Sequence, residues 1–171
     1  MLFLNAISKL FYTNLDYLLN MIYSKTKINT FLLFNLPAAF FCGVRAKYID
    51  EDRCVVTVRH NWFNKNPFNS IYFAVQAMAA ELSTGALVMS YSKTSDSNLS
   101  MLVTQSKSIF TKKATGTITF VCNDGLLVSG AINELVNTKV TQKIILKAEG
   151  KNEKGEVVSE MHFEWSIAVR S

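Results

Sequence analysis

The segment at residues 66–85 limits what this chain can fold into more than any other part of it. Its sequence, NPFNSIYFAVQAMAAELSTG, is as apolar as a helix buried on all sides, yet it carries one carboxylate, Glu81. A charged group is costly to bury unless it is paired or used in chemistry. The pattern predicts a core helix over residues 70–90, capped by Asn69 or Ser70, with Glu81 in an ion pair or in a functional site.

Strand patterns surround this helix and set the fold class. Residues 42–49 and 53–62 flank a polar turn and predict a hairpin, and residues 157–170 alternate between apolar and polar side chains. The other predicted strands are residues 101–110, 114–122 and 140–149, while residues 124–136 are ambiguous and fit a short helix. Six strands and one helix without a polar face predict an α+β fold, with the sheet curved around the long central helix.

The N-terminal part of the chain is predicted to be separate from this domain. Residues 1–27 read as a helical extension and residues 28–171 as a single domain, with Met21 as an alternative start. Apolar residues recur at helical spacing in the extension, which suits a helix packed on the domain or one lying on a membrane surface. Residues 31–44 form the longest uncharged apolar run, and 14 residues are too few to span a bilayer. We expect no integral membrane segment, no cleaved signal and a cytoplasmic protein.

Composition narrows the classes of function. With 171 residues and 49% hydrophobic content, the chain is large enough for one hydrophobic core. The formal net charge of +5 fits ordinary solubility or an anionic ligand such as a phosphorylated cofactor. No basic run exceeds the pair Lys112 and Lys113, so we expect no nucleic-acid partner. The three cysteines and two histidines lack metal-ligand spacing, so we expect no metal site and no disulfide framework.

The order of elements and the helical segment resemble the hotdog fold, in which a curved antiparallel sheet wraps a central helix. More narrowly, the chain is similar to acyl-CoA thioesterases of the phenylacetate-pathway type and looks closest to an uncharacterised, thioesterase-like hotdog family of bacteria. The resemblance covers roughly residues 28–170 and leaves the N-terminal helix as an addition.

The motif of these thioesterases is present in part. They have an Asn before a His-Gly-Gly at the helix start and an acidic residue inside the helix. Counting back from Glu81 as the acid, Asn66 falls on the family's Asn and Tyr72 falls on its His. Phe73 and Ala74 fall on the two glycines. The loss of the His-Gly-Gly keeps an alternative open, a non-catalytic hotdog module that binds acyl-CoA, an acyl carrier or a lipid.

The resemblance implies how thioester hydrolysis would be divided among these residues. The backbone N–H at the first glycine position, here Phe73, polarises the carbonyl, while Glu81 acts as base or nucleophile and Asn66 assists. Burial is expected to raise the pKa of Glu81. Eight residues of helix separate Phe73 from Glu81, about 12 Å, so one helix cannot present both to the same carbonyl. The resemblance implies a homodimer, or a tetramer of such dimers, with Phe73 of one protomer and Glu81 of its partner in each site.

The implied substrate is an acyl-CoA or an acyl-carrier thioester, and no resident cofactor is expected. The candidate substrate-binding residues are Tyr72, Ala74, Gln76, Arg59, Lys112 and Lys113, the basic ones for the phosphates of coenzyme A. Structural alternatives remain for each feature. Asn66 can be a turn residue, and Tyr72 and Phe73 can be aromatic side chains of the core. Lys112 and Lys113 can be solvated, and Glu81 can form an ion pair. The cations considered for that pair are Arg45, Lys47 and Arg59.

Overall fold

The computed structural model describes residues 24–94 and 98–170, so most of the helical extension predicted over residues 1–27 lies outside the described residues. The helices are α1 (Lys25–Asn35), α2 (Pro37–Phe41), α3 (Phe73–Thr94) and α4 (Gly125–Thr138). The strands are β1 (Arg45–Ile49), β2 (Cys54–Arg59), β3 (Leu99–Phe110), β4 (Thr117–Cys122), β5 (Gln142–Lys151) and β6 (Val157–Val169). Helix α1 crosses the position at which the sequence analysis divides extension from domain.

The α+β architecture predicted from the sequence is confirmed. The six strands form one antiparallel sheet in the order β1-β2-β4-β5-β6-β3, and α3 contacts every strand. Strand β6 alternates as expected, because its buried residues Met161, Phe163, Trp165 and Ile167 face the core. Residues 124–136, ambiguous in the sequence, belong to helix α4, which packs on α3 and β5.

Helix α3 begins three residues later than the sequence predicts, at Phe73, and it extends to Thr94. The residues before it are held in an extended conformation by backbone hydrogen bonds. The N–H of Ile71 donates to Ala114 O (2.8 Å), and the N–H of Tyr72 donates to Asn64 O (2.7 Å). The carbonyl groups that a helix beginning at residue 70 would need are also occupied, because Ser70 O accepts from Asn66 N (2.8 Å) and Ile71 O accepts from Gln76 Nε2 (3.1 Å). Neither Asn69 nor Ser70 caps the helix.

The two edges of the sheet differ in how they are covered. At β1, the side chain of Asn29 in α1 accepts from Ala46 N and donates to Ala46 O, both at 2.9 Å, and so replaces a neighbouring strand. At β3, eleven of the twelve residues pair with β6 on one side, and the residues from 104 to 110 are exposed. A long uncovered edge offers unpaired backbone groups to another chain.

One helix of the described chain is long and apolar enough to cross a membrane, residues 73–92 of α3. Two thirds of its most apolar stretch, 67%, is buried inside the sheet. The core helix of a globular domain has the same length and composition.

Candidate active site

Glu81 lies in the middle of α3 with its side chain largely withdrawn from water. Within the described residues, its carboxylate has no hydrogen-bond donor and no ion-pair partner. Burial raises the pKa of Glu81 above its ordinary value of 4.5, and no charge offsets that effect. An unpaired, desolvated carboxylate facing a cavity is the usual arrangement of a general base or a nucleophile.

The ion pair considered for Glu81 is not formed. Arg45 instead directs its guanidinium to the backbone, donating to Phe40 O and Val44 O at 2.7 Å each, and it lies 3.7 Å from the ring of Phe40. Neither Arg59 nor Lys47, both exposed, makes an ion pair with it.

Two apolar cavities meet at Glu81. The first, which we call the α1 cavity, has a volume of about 90 Å³ and lies between α1, α3 and β3. The second, the α2 cavity, has a volume of about 260 Å³ and lies between α2 and α3. The residues that line both are Leu36, Glu81 and Leu82. Residues of the α1 cavity alone include Lys27, Ile28, Phe31, Ala86, Met89 and Met101, and those of the α2 cavity alone include Leu32, Asn35, Pro37, Ala38 and Met78.

The helix turn that carries Glu81 is fixed by a short hydrogen-bond chain and by a close approach. Thr84 Oγ1 donates to Glu81 O (2.9 Å) and accepts from Trp165 Nε1 (3.0 Å). A Cβ at Gly85 would lie 3.3 Å from Glu81 Oε1 and 3.1 Å from the ring of Trp165. A glycine inside a helix costs about 1 kcal/mol relative to alanine, and here it leaves room for the carboxylate and the indole.

The start of α3 offers free backbone donors. Among residues 24–94 and 98–170, the N–H groups of Phe73 and Ala74 donate to no acceptor. The aromatic rings around them are accessible, since Tyr72 is 46% exposed and Phe73 55% exposed. The ring of Phe73 packs edge-on against Tyr72 and Phe110, with centroids 4.8 and 6.4 Å apart. Amides in a first helical turn, at the positive end of the helix dipole, are suited to bind a developing oxyanion.

Two of the predicted site residues have polar side chains that are already occupied. Asn66 Oδ1 accepts from the N–H groups of Phe68 (3.0 Å) and Ser70 (3.1 Å), and Asn66 Nδ2 donates to Ser70 Oγ (3.0 Å). Buried Gln76 donates to Ile71 O and accepts from Ser159 Oγ, both at 3.1 Å. In this protomer, Asn66 shapes the turn that leads into α3, and Gln76 links α3 to β6.

The predicted basic residues lie near the start of α3 rather than beside the α1 and α2 cavities. Lys112 and Lys113 belong to the β3–β4 connection, whose Ala114 binds the backbone of Ile71. Lys112 forms an exposed ion pair with Glu156 (2.5 Å). Arg59 ends β2 in the same region, paired with Thr117 of β4. Their backbone thus lies on the side of the domain where α3 begins, and none of the three lines the α1 or α2 cavity.

The residues that sequence reasoning missed are those of α1 and α2 that cover Glu81, together with Gly85. The sequence contains two weak signals of these residues. A glycine four residues after the acid marks a place where a helical side chain is excluded, and Leu36-Pro37 marks a break between two helices because proline cannot continue one. The contact of α1 with α3 depends on tertiary packing, which no local pattern reveals.

We predict that the Glu81→Gln variant is more stable than the wild type at neutral pH. Because the folded-state pKa of Glu81 is raised, the folded protein holds this proton more tightly than the unfolded chain. The wild type therefore loses stability as pH rises from about 4.5 through the raised pKa, while the variant does not. Thermal unfolding across that range should show a gap in Tm that opens with pH.

The Glu160→Gln variant provides a control, because its stability is expected to change in the opposite direction. The pKa of Glu160 is lowered by hydrogen bonds from Lys147 and His162, so its carboxylate contributes stability that is lost as pH falls. Glu160→Gln should therefore be slightly less stable than the wild type at neutral pH, the effect being small because the pair is exposed. A Glu81→Gln variant that is destabilised at neutral pH would show that the carboxylate is paired.

A curved antiparallel sheet that encloses a helix bearing a desolvated glutamate places the protein in the hotdog class of folds. Several solved structures have a similar fold. A Chlorobaculum tepidum protein of unknown function matches with TM-score 0.74 and 16% identity, over 85% of this chain and 94% of its own. A Pseudomonas aeruginosa protein described as a probable thioesterase matches with TM-score 0.72 and 20% identity, over 85% and 96%. A Haemophilus influenzae thioesterase matches with TM-score 0.63 and 10% identity, over 85% and 91%.

The chain belongs to the family described as a domain of unknown function, DUF4442, which matches residues 26–167. No protein of curated function matches the sequence. At identities of 20% or less, the likeness to the solved structures is one of fold.

Proposed function

We propose that the protein is an acyl thioester hydrolase that acts on acyl-CoA or on an acyl carrier, allied to the phenylacetate-pathway type of thioesterase. The observation that carries the proposal is the unpaired carboxylate of Glu81 at the meeting point of two apolar cavities. The free N–H groups of Phe73 and Ala74 supply the second element that thioester hydrolysis needs. Similar structures described as thioesterases are consistent with this chemistry.

In the proposed reaction, Glu81 accepts a proton from water while the water oxygen attacks the thioester carbonyl carbon. The carbonyl oxygen becomes an oxyanion, which is stabilised by the N–H groups of Phe73 and Ala74 of the partner subunit. When the tetrahedral intermediate collapses, the C–S bond breaks and Glu81 returns the proton to sulfur. The products are a carboxylic acid and a thiol.

The proposal requires a homodimer, because Phe73 and Glu81 lie about 12 Å apart along one helix. The uncovered edge of β3 supports this arrangement. Exposed apolar side chains stand on or beside that edge, with Leu102 at 65% and Phe110 at 46%, and Phe110 contacts Phe73. Pairing of two β3 edges would cover these side chains and bring the start of one α3 towards its partner.

The basic residues near the start of α3 fit the phosphates of coenzyme A in the same scheme. Arg59 and Lys113 are exposed, and neither forms an ion pair with another described residue. Lys112 is shared with Glu156 and would have to exchange that partner for a phosphate. A cytoplasmic location, where coenzyme A thioesters are substrates, stays a prediction from the sequence.

A second candidate function is binding without hydrolysis. The observation that favours it is the bulk of Tyr72 and Phe73, at the positions where thioesterases of the phenylacetate-pathway type have His and Gly. Aromatic side chains there narrow the approach to the free N–H groups. A module of this kind would hold an acyl-CoA, an acyl carrier or a lipid between the same elements.

One experiment distinguishes hydrolysis from binding without hydrolysis. Purified protein is incubated with acyl-CoA substrates of graded chain length, and thiol release is followed with a chromogenic reagent. We expect turnover of at least one substrate well above the spontaneous rate. Native mass spectrometry that finds a retained acyl-CoA or lipid, together with no thiol release, would favour the binding module.

A further inference from the structure

We propose that Leu36 divides the substrate site into two compartments and that the smaller compartment, the α1 cavity, accepts only short aliphatic acyl groups. The inference rests on the proposed function, because it assumes that a thioester carbonyl lies at Glu81. A thioester carries two different substituents on that carbonyl, the acyl group and the thiol arm. Two cavities leave Glu81 on either side of Leu36, so each substituent has a compartment of its own.

Leu36 holds this position because it joins two helices. It ends α1, where its N–H donates to Leu32 O (3.0 Å), and it precedes α2, where its carbonyl accepts from Phe40 N (3.1 Å). Pro37 stops α1 and begins α2, since proline disrupts a helix interior but suits the first helical position. The leucine side chain is thereby fixed between the two cavities, which share it with Glu81 and Leu82.

The acyl group is assigned to the α1 cavity. That cavity is enclosed on three sides by α1, α3 and β3, and its lining is apolar apart from Glu81, Ser90 and the exposed Lys27. The α2 cavity has Asn35, Pro37 and Ala38 exposed along its rim, so a group placed there reaches solvent. A thiol arm has to leave the protein towards its carrier, whereas an aliphatic chain gains most from burial. The two compartments therefore suit the two halves of the substrate.

The size of the α1 cavity sets the length of the acyl group. Its volume of about 90 Å³ is smaller than the cavity of about 150 Å³ that holds a benzene ring in a protein core. An aliphatic group of a few carbons fits, and an aromatic ring does not. Met89 and Met101 form part of its wall, and shortening either side chain would lengthen the compartment.

Two methionines of α3 provide a matched test. Met89 lines the α1 cavity alone and Met78 the α2 cavity alone, and both are partly buried. We expect the wild type to favour butyryl-CoA over octanoyl-CoA and phenylacetyl-CoA. Met89→Ala should raise kcat/KM for octanoyl-CoA relative to butyryl-CoA by about tenfold, because the added methylenes gain a place to bind. Met78→Ala should leave that ratio unchanged, and Leu36→Ala, which joins the cavities, should reduce discrimination by chain length.

Binding measurements separate this inference from the proposed hydrolysis. Calorimetric titration with thioether analogues of butyryl- and octanoyl-CoA reports chain-length preference without turnover. If the analogues bind with the expected preference and Met89→Ala shifts it, the compartment assignment holds even where no thioester is hydrolysed. A shift caused by Met78→Ala instead of Met89→Ala would overturn the assignment, as would a wild type that prefers octanoyl or phenylacetyl groups. Leu36→Ala, at a half-exposed position, provides the same test if Met89→Ala fails to fold.

Discussion

Replacing Glu81 with glutamine is expected to lower kcat for thioester hydrolysis by about 10²–10⁴-fold, the usual contribution of a general base. Glutamine keeps the size and shape of the side chain, and it removes the negative charge and the ability to accept a proton. Since substrate contacts are retained, KM should change little. The measurement is steady-state thiol release with the best substrate of the acyl-CoA panel.

Measuring the Tm of the same variant distinguishes a catalytic role of Glu81 from a structural one. A carboxylate that is buried without a partner weakens the fold, so the same substitution should raise the Tm while it removes activity. A structural ion pair would give the opposite result, because loss of one partner leaves a buried charge uncompensated. Gly85→Ala is a second variant of interest, since a Cβ there would push on Glu81 Oε1 and on the ring of Trp165. Wild-type activity in Glu81→Gln would contradict the assignment of Glu81 as the base.

The fold could be predicted from the sequence because its elements carry strong local patterns. Strand β6 alternates over its whole length, and α3 is apolar on all sides, which only an enclosing sheet can satisfy. The start of α3 could not be predicted to the residue. Its position depends on the backbone bonds that Ile71 and Tyr72 make to Ala114 and Asn64, and Ala114 is distant from Ile71 in the sequence.

Of the residues that line the α1 and α2 cavities, only Glu81 was singled out by the sequence. Glu81 stands out because an isolated acid in an apolar helix is rare and needs a reason. Leu36 and Met89 carry no such mark, since they are ordinary apolar residues whose role depends on the packing of α1 against α3. Asn66 is an example of a residue that the sequence marks and whose side chain has a structural role. It matches a motif position, and its side chain is engaged in shaping the turn before the helix.

Phe73→Pro is expected to lower kcat by about 10²–10³-fold, the usual loss when one oxyanion donor is removed. Phe73 is the first residue of α3, a position at which proline is well tolerated because the missing N–H has no partner within the helix. The residue before a proline is restricted to extended conformations, and Tyr72 already precedes the helix. The substitution thus removes a backbone donor with little cost to folding, which circular dichroism and Tm can verify.

The matched control is Phe73→Ala, which keeps the N–H and removes the ring. If the backbone donor matters, the alanine variant should retain activity within a few-fold of wild type, or exceed it where the ring restricts access. Equal losses in both variants would assign the effect to the aromatic side chain and its contacts with Tyr72 and Phe110. Activity in Phe73→Pro equal to that of wild type would exclude this N–H as the oxyanion donor.

Mixing two inactive variants tests whether the site is shared between protomers. A heterodimer of Glu81→Gln and Phe73→Pro contains one site with both native groups and one with neither. Random reassociation makes half of the dimers mixed, each with one working site of two, so about one quarter of wild-type activity should return. A site contained in a single protomer would show no recovery, because each chain would lack one of its two groups. Recovery of activity would therefore show that the carboxylate of one α3 acts together with the backbone amide of its partner's α3. Within one chain these two groups are about 12 Å apart along the helix, so they cannot act on the same carbonyl.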